Sequence, residues 1–156
     1  MAKDSVQVEL RVPTQVDVDL LIANIRHDDK QELEASHGDY QKAIQLSYNK
    51  SKYKWAIYAD GEFVCLFGMH PLGLLSDTSL IWMLGTDLIA KNKGAFIRHS
   101  QEYIKAMLSV SPVLTNWCDV RNKKTIRWLK LMGFTFFKAE PYGIKGYPFY
   151  RFELRA

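Results

Sequence analysis

The stretch YKWAIYADGEFVCLFGMHP, residues 53–71, constrains the chain most: two extended apolar runs flank Asp60-Gly61. A two-residue Asp-Gly turn meets the positive φ angles that a tight hairpin demands, so the stretch predicts antiparallel strands at about 53–59 and 62–70. After a loop at 71–78 comes SLIWMLGTDL, a nearly continuous apolar run. It is far too short to cross a bilayer and reads as a central strand buried on both faces.

The rest follows from periodicity. SVQVELRV, residues 5–12, alternates apolar and polar positions as a half-buried strand does, and Pro13 ends it. Thr14 can cap a helix that Val16, Val18, Leu20, Leu21, Ile22 and Ile25 carry to His27. The acidic DDKQELEASHG predicts a short helix stopped by Gly38, and DYQKAIQLSYNKSK another. Phe96, Ser100, Tyr103, Ile104, Met107 and Leu108 recur at helical spacing between Lys93 and Pro112. PVLTNWCDV then reads as a strand, NKKTIRWLKLM as a short helix, and FTFFKAE and YPFYRFEL as two last strands. The expected fold class is mixed α/β, with about seven strands and the order β-α-α-β-β-β-α-β-α-β-β, a third helix fitting among the early ones.

A chain of 156 residues with 47% hydrophobic content suits one domain, 1–156, with its own core. No segment has the length or pattern of a membrane span or a secretory signal, so the expectation is a cytoplasmic protein that does not engage membranes. Cys65 and Cys118 lie in separate apolar stretches, as buried free thiols do. Charge is uneven: residues 1–40 hold four Lys/Arg against nine Asp/Glu, whereas residues 91–130 hold nine Lys/Arg against two. The basic segment invites an anionic ligand, a phosphorylated cofactor or nucleic acid. The aromatic residues fall on buried periodicities rather than among the cations, which argues against nucleic acid.

The motifs G-x-S-x-G, H-E-x-x-H, Cys-x-x-Cys and the P-loop are absent, and His27, His37, His70 and His99 do not share metal-ligand spacing. No metal is expected. What stands out is KNKGAF, residues 91–96, opening a helix after the central strand, and Asn122 followed eleven residues later by Gly133-Phe134. Together with the element order, these resemble the GNAT superfamily of acyl-CoA-dependent N-acyltransferases. The segment VRNKKTIRWLKLMGFTFF is also similar to short GNAT-like proteins of T7-like phages.

The resemblance implies a central mixed, mostly antiparallel sheet flanked by helices, with acetyl-CoA or another acyl-CoA as cofactor. Acyl transfer would be to an amine on a small molecule or protein. The inactive alternative is a phage virion component or a binder of a host protein. Free amides at a helix start bind phosphates, so the implied cofactor site takes in Leu84, Gly85 and Thr86 at the strand end, then Lys91, Asn92, Lys93, Gly94 and Ala95. Asn122, Lys123 and Lys124 at the next helix start complete it. Two positions depart from the family: Phe96 stands where a small residue is expected, and Leu129 where many members carry a tyrosine acid. The resemblance also implies a cleft where the strands at about 80–87 and 113–120 splay apart, and candidate catalytic groups near it are His70, Asp87 and Cys118. Each has an ordinary role open to it as well: a turn residue, a helix cap and core filling. Asp119 could equally pair with Arg121 or Arg127.

Overall fold

The structure, a computed structural model, describes residues 6–156. Its elements run β1 (Val8–Arg11), α1 (Gln15–Asn24), α2 (His27–His37), α3 (Tyr40–Lys50), β2 (Tyr53–Ala59), β3 (Glu62–Pro71) and β4 (Thr78–Gly85). They continue with α4 (Leu88–Lys91), α5 (Lys93–Val110), β5 (Val113–Asp119), α6 (Lys123–Leu131), β6 (Thr135–Phe136), β7 (Glu140–Tyr142) and β8 (Tyr147–Arg155).

Eight strands form one sheet in the order β1-β2-β3-β4-β5-β8-β6, with β7 also on β8. Every pairing is antiparallel except β4 with β5. The hairpin turn is as the sequence predicts: Asp60 and Gly61 take φ 49° and 79°, and Ala59 faces Glu62.

Helices cover both faces, as the apolar β4 requires. One core joins α1, α2 and α3 to the sheet through Val18, Leu21, Leu33 and Ile44. The opposite core joins α5 and α6 through Ile104, Met107, Ile126 and Leu129. Full burial of such side chains is worth about 1.5–3 kcal/mol each, and this is what fixes the helices on the sheet. Cys65 and Cys118 are buried free thiols. Among the described residues no helix is long and apolar enough to cross a membrane.

Three expectations are corrected. FTFFKAE does not form one strand, which brings the expected total of about seven strands to eight. β6 pairs Phe136 with Phe152 and β7 pairs Glu140 with Phe149, so four steps on one side oppose three on the other. The extra residue is a bulge, which breaks the ladder. Helix α1 ends at Asn24 rather than His27, because Ile25 bridges Thr86 and the Arg26 N–H donates to Gly85 O at 2.8 Å. The short helix α4 precedes α5, started where Thr86 Oγ1 accepts from the Leu88 N–H at 3.3 Å. Of the strand expected at 5–12, Ser5 lies outside the described residues, and β1 spans Val8–Arg11.

Candidate active site

β4 and β5 are hydrogen-bonded neighbours only over Thr78–Leu80 and Val113–Thr115. Beyond that they diverge, although β4 continues to Gly85 and β5 to Asp119. Asn116 holds the fork, its side-chain amide donating to Ile81 O at 2.7 Å. In an antiparallel ladder alternate residues turn both backbone groups to the same neighbour. Thr86 N–H donates to Val64 O on β3, so Gly85, Met83 and Ile81 turn theirs toward the gap left by β5. Ile81 O is taken by Asn116 and the Gly85 groups by α2 and the α1–α2 junction. Met83 is left to present an N–H and a C=O into the split.

The blunt end of the split is closed by a buried polar cluster. Asp29, 1% exposed, accepts from Arg26 Nε at 2.7 Å and Gly85 N–H at 2.9 Å, and its other oxygen accepts from Asn122 Nδ2 at 3.1 Å. Arg26, 6% exposed, also donates to Thr125 Oγ1 at 2.9 Å. Asn122 Oδ1 accepts from the Thr125 N–H at 3.3 Å, so it is both the α6 cap and a member of this cluster. One carboxylate therefore ties the start of α2, the end of β4 and the start of α6 together.

Two spaces meet at the split. On the α5/α6 side a groove of about 270 Å³ is lined by Arg26, Met83, Lys93, Phe96, Lys124 and Arg127 among others. It carries four cationic groups and, among the described residues, no acid. Through the split, a cavity of about 130 Å³ reaches the α2 side, where Glu32, Ser36, Asn116, Trp117, Cys118 and Tyr142 contribute to its wall. Met83, Phe96 and Trp128 line both spaces. Phe96 is turned inward and buried, its ring 5.8 Å from that of Trp128, so it walls the groove from below rather than crowding the helix start.

The sequence candidates separate accordingly. Lys93 and Lys124 line the groove; Lys123 is exposed and does not. Leu84 contributes to the cavity, whereas Gly85 and Thr86 have their backbone amides engaged by Asp29 and Val64. Lys91 ends α4 and Asn92 caps it, its side chain donating to Leu88 O at 2.9 Å. Gly94 and Ala95 form the first turn of α5, where a Cβ added at Gly94 would meet nothing nearer than the Arg98 guanidinium at 3.6 Å. His70 lines neither space, and its Nδ1 is buried without a partner among the described residues. Asp87 is exposed before α4 with no capping bond from its side chain. Cys118 does reach the cavity, but burial and then the neighbouring Glu32 push its thiol far above the usual range, so it stays protonated. Leu129 is 1% exposed, a core residue of α6. Asp119 pairs with Arg121 at 2.7 Å.

Sequence reading missed Arg26, Glu32, Met83, Arg127 and Trp128. Glu32 lies on α2, where its carboxylate accepts from the Asp119 N–H at 2.6 Å. Burial, then the Asp29 charge, raises it to about 8, so it changes protonation state near neutral pH. The signal available was spacing: Asp29, Glu32 and Ser36 share a helical face with the apolar Leu33, which is unusual for solvated acids. Nothing local marks Met83.

Residues 73–140 match the family described as Bacteriophage T7, probable scaffold protein Gp13. Comparison with curated protein sequences gave no match. Among solved structures, an aminoglycoside N(6')acetyltransferase from Legionella pneumophila superposes with a TM-score of 0.72 at 13% identity, covering 95% of this chain and 91% of that one. A spermidine N-acetyltransferase chimera from Vibrio cholerae and hSSAT gives 0.69 at 12% identity, over 96% and 95% of the two chains. The ribosomal L7/L12 alpha-N-protein acetyltransferase RimL, in complex with coenzyme A, gives 0.66 at 14% identity, over 95% and 93%. At these identities the likeness concerns the backbone, and it is extensive: the chain has the fold of the GNAT acetyltransferases.

Proposed function

We propose that this chain is a single-domain, acyl-CoA-dependent N-acyltransferase that moves a short acyl group to an amine. The observation that carries it is the β4/β5 split, with the Met83 backbone groups directed into it, opening on a groove that holds four cations and no acid among its described residues. An acyl-CoA has the complementary form, a polyanionic head and an amide-bearing arm. Lys93, Lys124 and Arg127 would hold the phosphates, Arg26 being already paired with Asp29, and Met83 would hold the arm's amides. The fold neighbours support the reading: RimL is in complex with coenzyme A, and the neighbours act on an aminoglycoside, spermidine or a ribosomal protein.

Bound acyl-CoA supplies an acyl group already activated as a thioester. The chain's own part is mostly positioning, since an amine held in line with such a group needs little further help. Asn116 keeps the fork open and the Asp29 cluster fixes α6 against β4, so the two walls of the split are rigid. Trp128 and Phe96 exclude water where the two spaces meet. A buried leucine at 129 cannot give a proton to a departing thiolate, which leaves solvent to do so.

Calorimetric titration with acetyl-CoA and CoA tests the reading. Binding at micromolar concentration is expected; no heat from folded protein at high micromolar ligand would refute it. A second reading has support from Leu129 and from the phage-family match at 73–140: a phage-encoded, inactive GNAT-fold protein of the particle, or one that grips a host protein in the cytoplasm. That reading expects a stoichiometric protein complex indifferent to acyl-CoA. Capture that requires acyl-CoA would dispose of it.

A further inference from the structure

The acceptor side of the split is chemically unlike the cofactor side. Among the described residues that line the cavity, Glu32 is the one carboxylate and His37 the one potential cation. The remaining wall is largely apolar or aromatic. Trp117 and Tyr142 stack with centroids 4.6 Å apart and planes 11° from parallel, forming a flat panel of that wall. The β7–β8 turn packs against α2 beside it: Ile144 N–H donates to Ser36 O at 3.2 Å, and Gly143, at φ 76°, lies so close that an added Cβ would be 2.6 Å from Ser36 Cα.

We propose that the acceptor held here is an amine carrying a single ammonium group on an apolar or aromatic body, with Glu32 as the group that receives the ammonium. This rests on the acyltransferase reading of the split and narrows its substrate class. Glu32 is aimed rather than free, because its Oε1 accepts from the Asp119 N–H at 2.6 Å and the Cys118 thiol lies beside it. The other groups lining the cavity bring no cation: His37, at the end of the same helix, is held below the ordinary imidazole range by burial. Asp29 shares its helix and is already paired with Arg26; Asp119 on β5 is paired with Arg121; Tyr142 on β7 and Cys118 are neutral. An incoming ammonium therefore supplies the missing partner, and the aromatic panel favours both a cation and a flat body. A polyamine is disfavoured, since its second ammonium would be desolvated against Leu33, Phe149 and the rings with no counter-charge.

The protonation state of Glu32 gives a signature. Burial holds it protonated until about pH 8, so an ammonium entering at lower pH must displace that proton. Phenethylamine is the probe, titrated calorimetrically into the full chain in buffers of different ionisation enthalpy. Close to one proton should be released per amine bound at about pH 6.5, and affinity should rise roughly twentyfold by about pH 8.5. Glu32→Gln, which retains an acceptor for the Asp119 N–H, should abolish proton release and lower the affinity at the higher pH at least ~tenfold. Spermidine should bind more weakly than phenethylamine. No phenethylamine binding at millimolar concentration, unchanged binding in the glutamine variant, or a preference for spermidine would each overturn the proposal. Acetyl-CoA is titrated separately: its failure to bind refutes the acyltransferase reading while leaving the amine result to stand on its own.

Discussion

Asp29→Ala should be among the most damaging single substitutions in this protein. The carboxylate accepts three close hydrogen bonds, from Arg26, Gly85 and Asn122, and it is 1% exposed. Its loss leaves the Arg26 guanidinium, 6% exposed, with only the Thr125 hydroxyl, and leaves a buried backbone N–H without an acceptor. Breaking a buried ion pair from one side costs about 3–5 kcal/mol, because the surviving charge is stranded. With a urea m-value of about 2 kcal/mol per molar, a loss of ~4 kcal/mol moves the unfolding midpoint down by about 2 M. The reverse truncation is milder. Arg26→Met leaves Asp29 with the Gly85 N–H and Asn122 Nδ2, so ~2 kcal/mol is expected. Combining Arg26→Met with Asp29→Ala removes both charges, and the pair should be at least ~1.5 kcal/mol more stable than the sum of the single losses. Urea unfolding followed by far-ultraviolet circular dichroism measures all four proteins. If Asp29→Ala lies within ~1 kcal/mol of the parent, or the two changes simply add, the cluster is not the clamp described above.

Glu32 makes stability depend on pH in a defined direction. Its folded value is raised to about 8 while the unfolded chain ionises it in the ordinary carboxylate range, so the folded state binds the extra proton between those limits. Stability should therefore fall as pH rises from about 5 to about 8, by at most ~1.4 kcal/mol per pH unit, and Glu32→Gln should flatten that slope. Thermal melts across the range check it; an unchanged slope in the variant contradicts it. Gly68→Ala places a Cβ 2.5 Å from Trp82 Nε1, whose N–H donates to Ser51 Oγ at 2.7 Å. A loss of ~2 kcal/mol with a shift in tryptophan emission is expected, and a neutral result would mean that the indole yields freely. Lys124→Ala should weaken acetyl-CoA about fivefold, whereas Lys123→Ala should not, because only Lys124 lines the groove. Equal effects in calorimetry would refute that division.

The sequence alone determined what depends on neighbours in the chain. Asp60-Gly61 dictated a hairpin because a two-residue turn needs positive φ, and the unbroken apolar run of β4 required helices on both faces. Asn122 at a helix start and Gly133 at φ 96° past its end bracketed α6 for the same local reasons. The basic bias of 91–130 was legible too, since charge is additive along a sequence.

Tertiary structure decided which of those charges share a space. Lys93 and Lys124 come from different helices to one groove, joined there by Arg26 from residues whose charge balance is acidic; Lys123, adjacent in sequence to Lys124, points elsewhere. The split itself had no side-chain signature. It exists because β5 pairs with β4 over three residues and then leaves it, which turns the backbone of an ordinary methionine into a candidate binding group. Glu32 looked like one acid among many until the fold carried it against Asp119, 87 positions away, and into the cavity wall. Helix and turn preferences are properties of a few consecutive residues, but the proton affinity of a carboxylate is set by the dielectric and charges around it in space, and only the folded chain assembles those.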